Sequence, residues 1–224
     1  MIFEDAREHS MVEKGIAAMK LTTITNVSLD GVMQGLGGAD EDRRGGFERG
    51  GWALPLFGKD FEGTTFVNDV YQRADAFLFG RRTYEIFAGY WGVMEDSGNP
   101  IATALNTRPK YVASTTLTGP GWANTTVLSG NLATAIRELK AKPGGELQVH
   151  GSGNLVRRLF DNRLVDEITL LIYPMIIGQG TRLFPESGPD IALDLVDSQV
   201  TSKGVTIQVY RPTGRPEYAT AVAD

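Results

Sequence analysis

Three short stretches of this sequence place glycines, arginines and hydroxyls directly after apolar runs. Phe79 leads into Gly80-Arg81-Arg82-Thr83, Val112-Ala113 into Ser114-Thr115, and Val149-His150 into Gly151-Ser152-Gly153-Asn154-Leu155. A glycine turn that opens a helix aims several backbone N–H groups and the positive end of the helix dipole at one spot, and such spots hold phosphate. Arginine adds a planar, two-pronged grip on phosphate oxygens. Taken singly, each turn has a plain alternative: Gly-Ser-Gly is also an ordinary strand-to-helix connection, and Thr83 also suits a helix cap. Together they say more. Ligands of open α/β sheets lie beyond the carboxyl ends of the strands, so if these three strands are parallel, all three turns open on one edge. That edge suits a ligand with separated phosphates, such as a dinucleotide carrying an extra ribose phosphate.

Composition narrows the other options. The 224 residues contain no cysteine and only two histidines, His9 and His150, which removes disulfides, thiolate nucleophiles and Cys- or His-based metal sites. A formal net charge of -5 gives no basic excess for nucleic acid or a membrane surface. There is no signal peptide or membrane-spanning run, so the expected location is cytoplasmic. Hydrophobic content of 42% and charged content of 22% are those of a globular domain, while 27 glycines and 10 prolines imply many turns and short elements.

The elements that must position the three turns follow from periodicity. Residues 1–18 read as a charged extension, with a short helix across Glu4–Met19. Lys20–Val27 is β-branched and alternating, hence a strand, and ends in Ser28-Leu29-Asp30-Gly31. Residues 31–59 form a long glycine-rich, charged loop, of the length that is usually functional or disordered. A helix follows from Asp60, then a buried strand at Ala76–Phe79 and a helix carrying Tyr84, Phe87, Ala88 and Trp91. Asn99-Pro100 starts a short helix; Lys110–Ala113 is a strand, and Asn131–Lys142 an amphipathic helix stopped by Pro143-Gly144-Gly145. After the Gly-Ser-Gly turn come a helix, the strand Glu167–Tyr173, and a hairpin of Ala192–Val200 and Val205–Tyr210. The polar tail is expected to be loose. The pattern is one α/β domain over residues 19–212, mostly parallel, with a closing antiparallel hairpin and a tail at 213–224.

The same residues carry a resemblance. Gly80-Arg81-Arg82-Thr83-Tyr84-Glu85 resembles the Gly-Arg-x-Thr-x-Glu signature of dihydrofolate reductases. Ser28-Leu29-Asp30-Gly31 resembles the end of the first strand in the C-terminal reductase domain of the riboflavin-biosynthesis deaminase-reductase. Gly151 to Leu155, Leu164 to Glu167, and Pro174 to Phe184 are similar to later blocks of that family, in order. The likeness runs from about Lys20 to Tyr210 and is nearest to single-domain members of the dihydrofolate-reductase-like group. It implies a three-layer fold with a mixed sheet of about eight strands, NADPH as hydride donor, a homodimer, and reduction of a small pterin-like or ribosylaminopyrimidine-like substrate. It further implies that Gly80, Arg81, Arg82 and Thr83 hold cofactor phosphates and that Ser114 and Thr115 lie near the adenosine ribose and its phosphate. Gly151, Ser152, Gly153, Asn154 and Leu155 would cradle the pyrophosphate. Val27 and Leu29 would flank the nicotinamide, with Gly178 close by.

The departures fall on the substrate side. These residues include no deaminase domain, and the Gly-x-Ser-x-Trp segment expected after Ser-x-Asp-Gly is replaced by Gly35-Leu36-Gly37-Gly38 and an acidic loop. The carboxylate of dihydrofolate reductase has no counterpart at the right spacing, although Asp60, Glu62 and Asp69 lie in the region. Asp30 is the candidate catalytic residue, positioning substrate or a proton-relaying water; its other reading is a turn aspartate before glycine. His150 reads as a hydrogen-bonded structural residue, Glu85 as a surface charge or partner of Arg81 or Arg82, and Asp40-Glu41-Asp42 as a solvated run. A reading of a different class is a dinucleotide-binding sensor or scaffold dimer without turnover.

Overall fold

The structure, a computed structural model, describes residues 17–94 and 98–219. Most of the helix expected across Glu4–Met19 lies outside the described residues; residues 17–19 are not helical, and Ala18 bridges Pro143 in antiparallel fashion. The elements in chain order are β1 (Lys20–Ser28), α1 (Phe61–Arg73), β2 (Ala74–Gly80), α2 (Arg81–Tyr90), α3 (Pro100–Thr107), β3 (Lys110–Ala113), β4 (Thr125–Leu128), α4 (Leu132–Lys140), β5 (Glu146–His150), α5 (Gly153–Asp161), β6 (Glu167–Tyr173), β7 (Ala192–Val200) and β8 (Thr206–Gly214).

Local chemistry sets the helix starts. The Asp60 side chain accepts from the Gly63 amide, Asn99 caps α3 ahead of Pro100, and Asn131 accepts from the Thr134 amide. Each satisfies backbone donors that a helix leaves open at its first turn. The strands form one eight-stranded sheet in the order β4-β3-β2-β5-β1-β6-β8-β7. The six from β4 to β6 are parallel to one another; β8 runs antiparallel to both β6 and β7.

The all-apolar run Phe77-Leu78-Phe79 is wholly buried because helices cover both faces of β2. Full burial of one such side chain stabilises by about 1.5–3 kcal/mol. One face packs against α4 and α5 through Ile136, Leu139, Leu155 and Leu159. The other meets α1, α2 and α3 through Val70, Tyr71, Tyr84 and Leu105.

The expected hairpin is present, but its second strand runs past Tyr210 to Gly214. Beyond it, Arg215 (2.8 Å) and Tyr218 (3.2 Å) hydrogen-bond the Asp190 carboxylate, so the start of the tail is held. Strand β4 has no counterpart in the sequence pattern: three half-exposed residues and one exposed residue at a sheet edge leave no clear alternation.

The loop over residues 31–59 is packed. Phe47, Trp52 and Ala53 are buried, and Trp52 stacks edge-on against Tyr173 with ring centroids 5.4 Å apart.

Candidate cofactor-binding site

Strands β3, β2, β5 and β1 are neighbours and parallel, so the three glycine- or hydroxyl-bearing turns and the Ser28–Gly31 turn all open on one edge. Connections from β2 and β5 leave in opposite directions, to β3 on one side and β6 on the other. Such a switch of direction is where open α/β sheets form a crevice.

Two of the turns are joined directly. The Gly80 amide donates to the Ser152 hydroxyl oxygen at 3.0 Å. Ser152 sits in the left-handed region at φ 56°, ψ 47°, just after Gly151 at φ 55°. A non-glycine residue there costs about 1–2 kcal/mol, and such outliers gather at functional sites. No side chain caps α5 or α2, so both helix N-termini keep their first amides aimed at the edge. Gly80 at φ −73° has room for a Cβ, with nothing closer than 3.5 Å. Backbone conformation and packing therefore do not require glycine at 80. A ligand approaching the backbone would.

The arginines diverge. Arg81 donates to Glu85 at 2.6 Å and to the Thr116 hydroxyl at 2.8 Å, so it spans from the β2 turn to the β3 turn. There Ser114 accepts from the amides of Thr116 (3.2 Å) and Leu117 (3.0 Å), and Thr115 is exposed. Arg82 points to the loop after β1, donating to the Asp42 carboxylate at 3.1 Å and the Glu41 carbonyl at 3.4 Å. Thr83 does not cap α2, whose N-cap is Gly80; it lies against Gly151, 3.7 Å from where a Cβ there would stand.

Asp42 corrects the expectation of a solvated acidic run. It is 7% exposed, and hydrogen bonds from Arg44 hold its carboxyl down to about 2, with Arg82 adding to them. Burial pushes the neighbouring Glu41 carboxyl up. Only Asp40 of the three is exposed, paired with Arg43.

At the end of β1, Asp30 accepts from the Ser28 hydroxyl (2.6 Å) and from the amides of Ile177 and Gly178 (both 2.9 Å), with Arg182 at 3.4 Å. The Ser28 bond, followed by those two amides, holds its carboxyl well below the usual carboxylate range despite some desolvation. An acid so held carries no proton to donate at neutral pH. These bonds clamp the β6–β7 turn to the end of β1.

Leu29 and Ile176 project from these adjacent turns, 66% and 73% exposed. The Val27 side chain, one strand position before Ser28, lies in the core against the α4–α5 face, because alternate residues of a central strand point into the covered layers. Gly178 adopts φ 70°, and the Arg49 guanidinium, which donates to the Ile177 carbonyl, lies 3.3 Å from where its Cβ would be. In α5, Gly153 and Leu155 are buried; Met33 covers Gly153, and Asn154 is exposed and accepts from Arg157.

Other titratable candidates are structural. His150 is buried, stacked on Tyr71 (centroids 4.2 Å apart) and 3.0 Å from Gln148 Oε1, and burial pushes its pKa down to about 3. Asp60, besides capping α1, accepts from Thr201 at 2.6 Å; Glu62 accepts from Ser202 at 2.7 Å. Both serve the β7–β8 turn. Among the described residues no group of three or more His, Cys, Asp or Glu could hold a metal ion, and no helix is long and apolar enough to cross a membrane.

No local signal in the sequence marks Thr116, Met33, Arg49 or the role of Asp42. All but Thr116 lie in the long loop, where no periodicity reports which side chains turn inward.

Sheet order, flanking helices and the antiparallel closing pair are those of the dihydrofolate-reductase-like fold. The chain belongs to the RibD C-terminal domain family, whose profile matches residues 19–207. It is 26% identical over 190 residues to the uncharacterized protein YyaP of Bacillus subtilis (strain 168), covering 84% of this chain and 92% of that protein. Two solved structures share the fold. A putative riboflavin biosynthesis protein from Shewanella sp. PV-4 has a TM-score of 0.60 and 21% identity, over 87% of this chain and 99% of that one. A pyrimidine reductase-like protein from Corynebacterium diphtheriae has a TM-score of 0.58 and 15% identity, over 86% and 91%.

Proposed function

We propose that this protein is an NADPH-dependent reductase of a small polar substrate, pterin-like or ribosylaminopyrimidine-like. The observation that carries the reading is the Gly80–Ser152 hydrogen bond, which sets two helix N-termini without side-chain caps side by side at one sheet edge. The residues present fit the cofactor. Gly151, Ser152 and the first amides of α5 would hold the pyrophosphate. Arg81, with Thr116 and the Ser114–Thr115 turn, would hold the ribose phosphate. Leu29, Ile176 and the Gly178 turn would receive the nicotinamide, which supplies the hydride when bound.

The chain's own part is to orient and exclude water. Asp30 fixes the spacing between the β1 end and the Ile177–Gly178 turn. The two exposed apolar side chains there offer a surface for a flat ring. An ordered water can deliver the proton, since Asp30 is held ionised and His150 is buried and neutral.

The homodimer implied by the family resemblance is supported by the edge strand β7, which exposes Leu193, Leu195, Val196 and Val200. Size exclusion with light scattering tests it: the dimer mass is expected, and a monomer at all concentrations contradicts it.

A dinucleotide-binding sensor without turnover draws support from one observation: among the described residues, the carboxylate at the β1 end, Asp30, is engaged by Ser28, Ile177 and Gly178. Mixing the protein with NADPH and then with candidate substrates separates the two. Loss of reduced-nicotinamide absorbance supports the reductase, and binding without oxidation across the panel supports the sensor.

A further inference from the structure

The adjacent arginines at the start of α2 have different partners, and those of Arg82 belong to a continuous line of hydrogen bonds. At one end, Gln34 Oε1 accepts from the Thr181 amide (2.9 Å) and hydroxyl (3.0 Å), beyond β6. The same amide group donates through Nε2 to the carbonyls of Asp42 (3.1 Å) and Arg44 (2.9 Å). Asp42 then accepts from Arg44, at 2.6 Å from Nη2, and from Arg82 at 3.1 Å. The line runs from Thr181 to the start of α2 and so crosses the carboxyl ends of β6, β1, β5 and β2, which are neighbours in the sheet. Gln34 and Asp42 are buried, at 6% and 7% exposure.

This line straps the loop from Met33 to Trp52 across the crevice. Trp52 fixes its far end, donating from Nε1 to the Gln34 carbonyl at 2.8 Å. Strapped in this way, the loop sets Met33 on Gly153 and Arg49 beside Gly178.

We infer that Arg82 is the anchor of this strap, a positioning residue that holds the loop through Asp42 and Glu41, while Arg81 is the arginine that reads a cofactor phosphate. Asp42 is buried, charge-paired and bonded at both carboxylate oxygens, so drawing Arg82 onto a phosphate would break a satisfied network. Arg81 already lies along the sheet edge beside the Ser114–Thr116 turn, with exposed partners that a phosphate can displace. The assignment of Arg81 rests on the reductase reading. The strap does not.

The test uses the full chain and the variants Arg82→Met, Arg81→Met and Asp42→Asn. Arg82→Met is the cleanest, because Arg82 is half-exposed and Asp42 keeps Arg44. Hydrogen exchange across residues 33–52 is expected to accelerate about tenfold in Arg82→Met, with global stability by urea unfolding nearly unchanged. It should accelerate at least as much in Asp42→Asn and hold within about twofold of wild type in Arg81→Met. In fluorescence titration with NADPH, Arg81→Met is expected to raise Kd about tenfold or more and Arg82→Met no more than about threefold. Unchanged exchange in Arg82→Met would overturn the strap. Equal losses of NADPH affinity in the two arginine variants would overturn the division of roles. If wild type binds no NADPH, the reductase reading and the role of Arg81 fall together, and the exchange arm still decides the role of Arg82.

Discussion

The Gly80 amide donates to the Ser152 hydroxyl across 3.0 Å, although the two residues are 72 positions apart in the chain. This bond joins the strand-to-helix turns of β2 and β5, and the candidate site depends on both of them.

Replacing Ser152 tests that junction. Ser152→Ala removes the acceptor and keeps a Cβ at φ 56°, so a loss of about 1–2 kcal/mol is expected. Ser152→Gly removes the same acceptor and relieves the left-handed strain, so its stability should lie near wild type. Urea unfolding of the two variants checks the ordering. Equal losses in both would show that the backbone conformation carries no strain.

Asp30→Asn tests the clamp at the β1 end. An amide cannot accept as a carboxylate does from Ser28, Ile177 and Gly178 together, and a loss of about 1–3 kcal/mol is expected. The folded-state carboxyl is depressed, so its contribution is present above the unfolded value of 3.8 and fades as pH falls below it. Wild type and variant should therefore converge in stability under strongly acidic conditions. A pH–rate profile that loses a neutral-range limb in Asp30→Asn would instead make Asp30 a proton carrier.

His150 gives the opposite half of the pH range. It is depressed to about 3 when folded and titrates near 6.5 when unfolded, so the unfolded chain takes up the proton first. Stability should fall as pH drops below about 6.5, with a slope of up to about 1.4 kcal/mol per pH unit. Urea unfolding of wild type and His150→Gln between pH 7 and 5 measures this. The slope is expected to be smaller in the variant, and identical slopes would show that His150 is protonated in the folded protein.

Lys110 is wholly buried, and its ammonium donates to the carbonyls of Leu105 (2.6 Å) and Arg108 (3.0 Å) at the end of α3, with the Trp122 ring at 4.7 Å. Lys110→Met keeps the stem and leaves two carbonyls without their donor. A loss of about 1–3 kcal/mol in urea unfolding is expected. A variant as stable as wild type would show that water satisfies those carbonyls.

What the sequence made legible follows from local signals. Asp60, Asn99-Pro100 and Asn131 announce helix starts through their own side chains, and Ala76–Phe79 announces a central strand by being apolar on both faces. The three turns could be placed on one edge because parallel strands force that geometry. Long-range pairings were not legible: Asp42 with Arg82 spans 40 positions, Asp30 with Gly178 spans 148, and neither pairing leaves a local pattern. The acidic run reads as solvated because charge composition does not reveal that Arg44 and Arg82 cover Asp42 from the solvent side.

The most direct test is thermal unfolding of wild type and Arg81→Ala with and without NADPH. At a ligand concentration of about 100 Kd, binding adds about 2.7 kcal/mol, which raises Tm by about 5–10 °C for a chain of this size. That shift is expected in wild type, and a much smaller one in Arg81→Ala. No shift in wild type with either NADPH or NADH would contradict the proposed cofactor site.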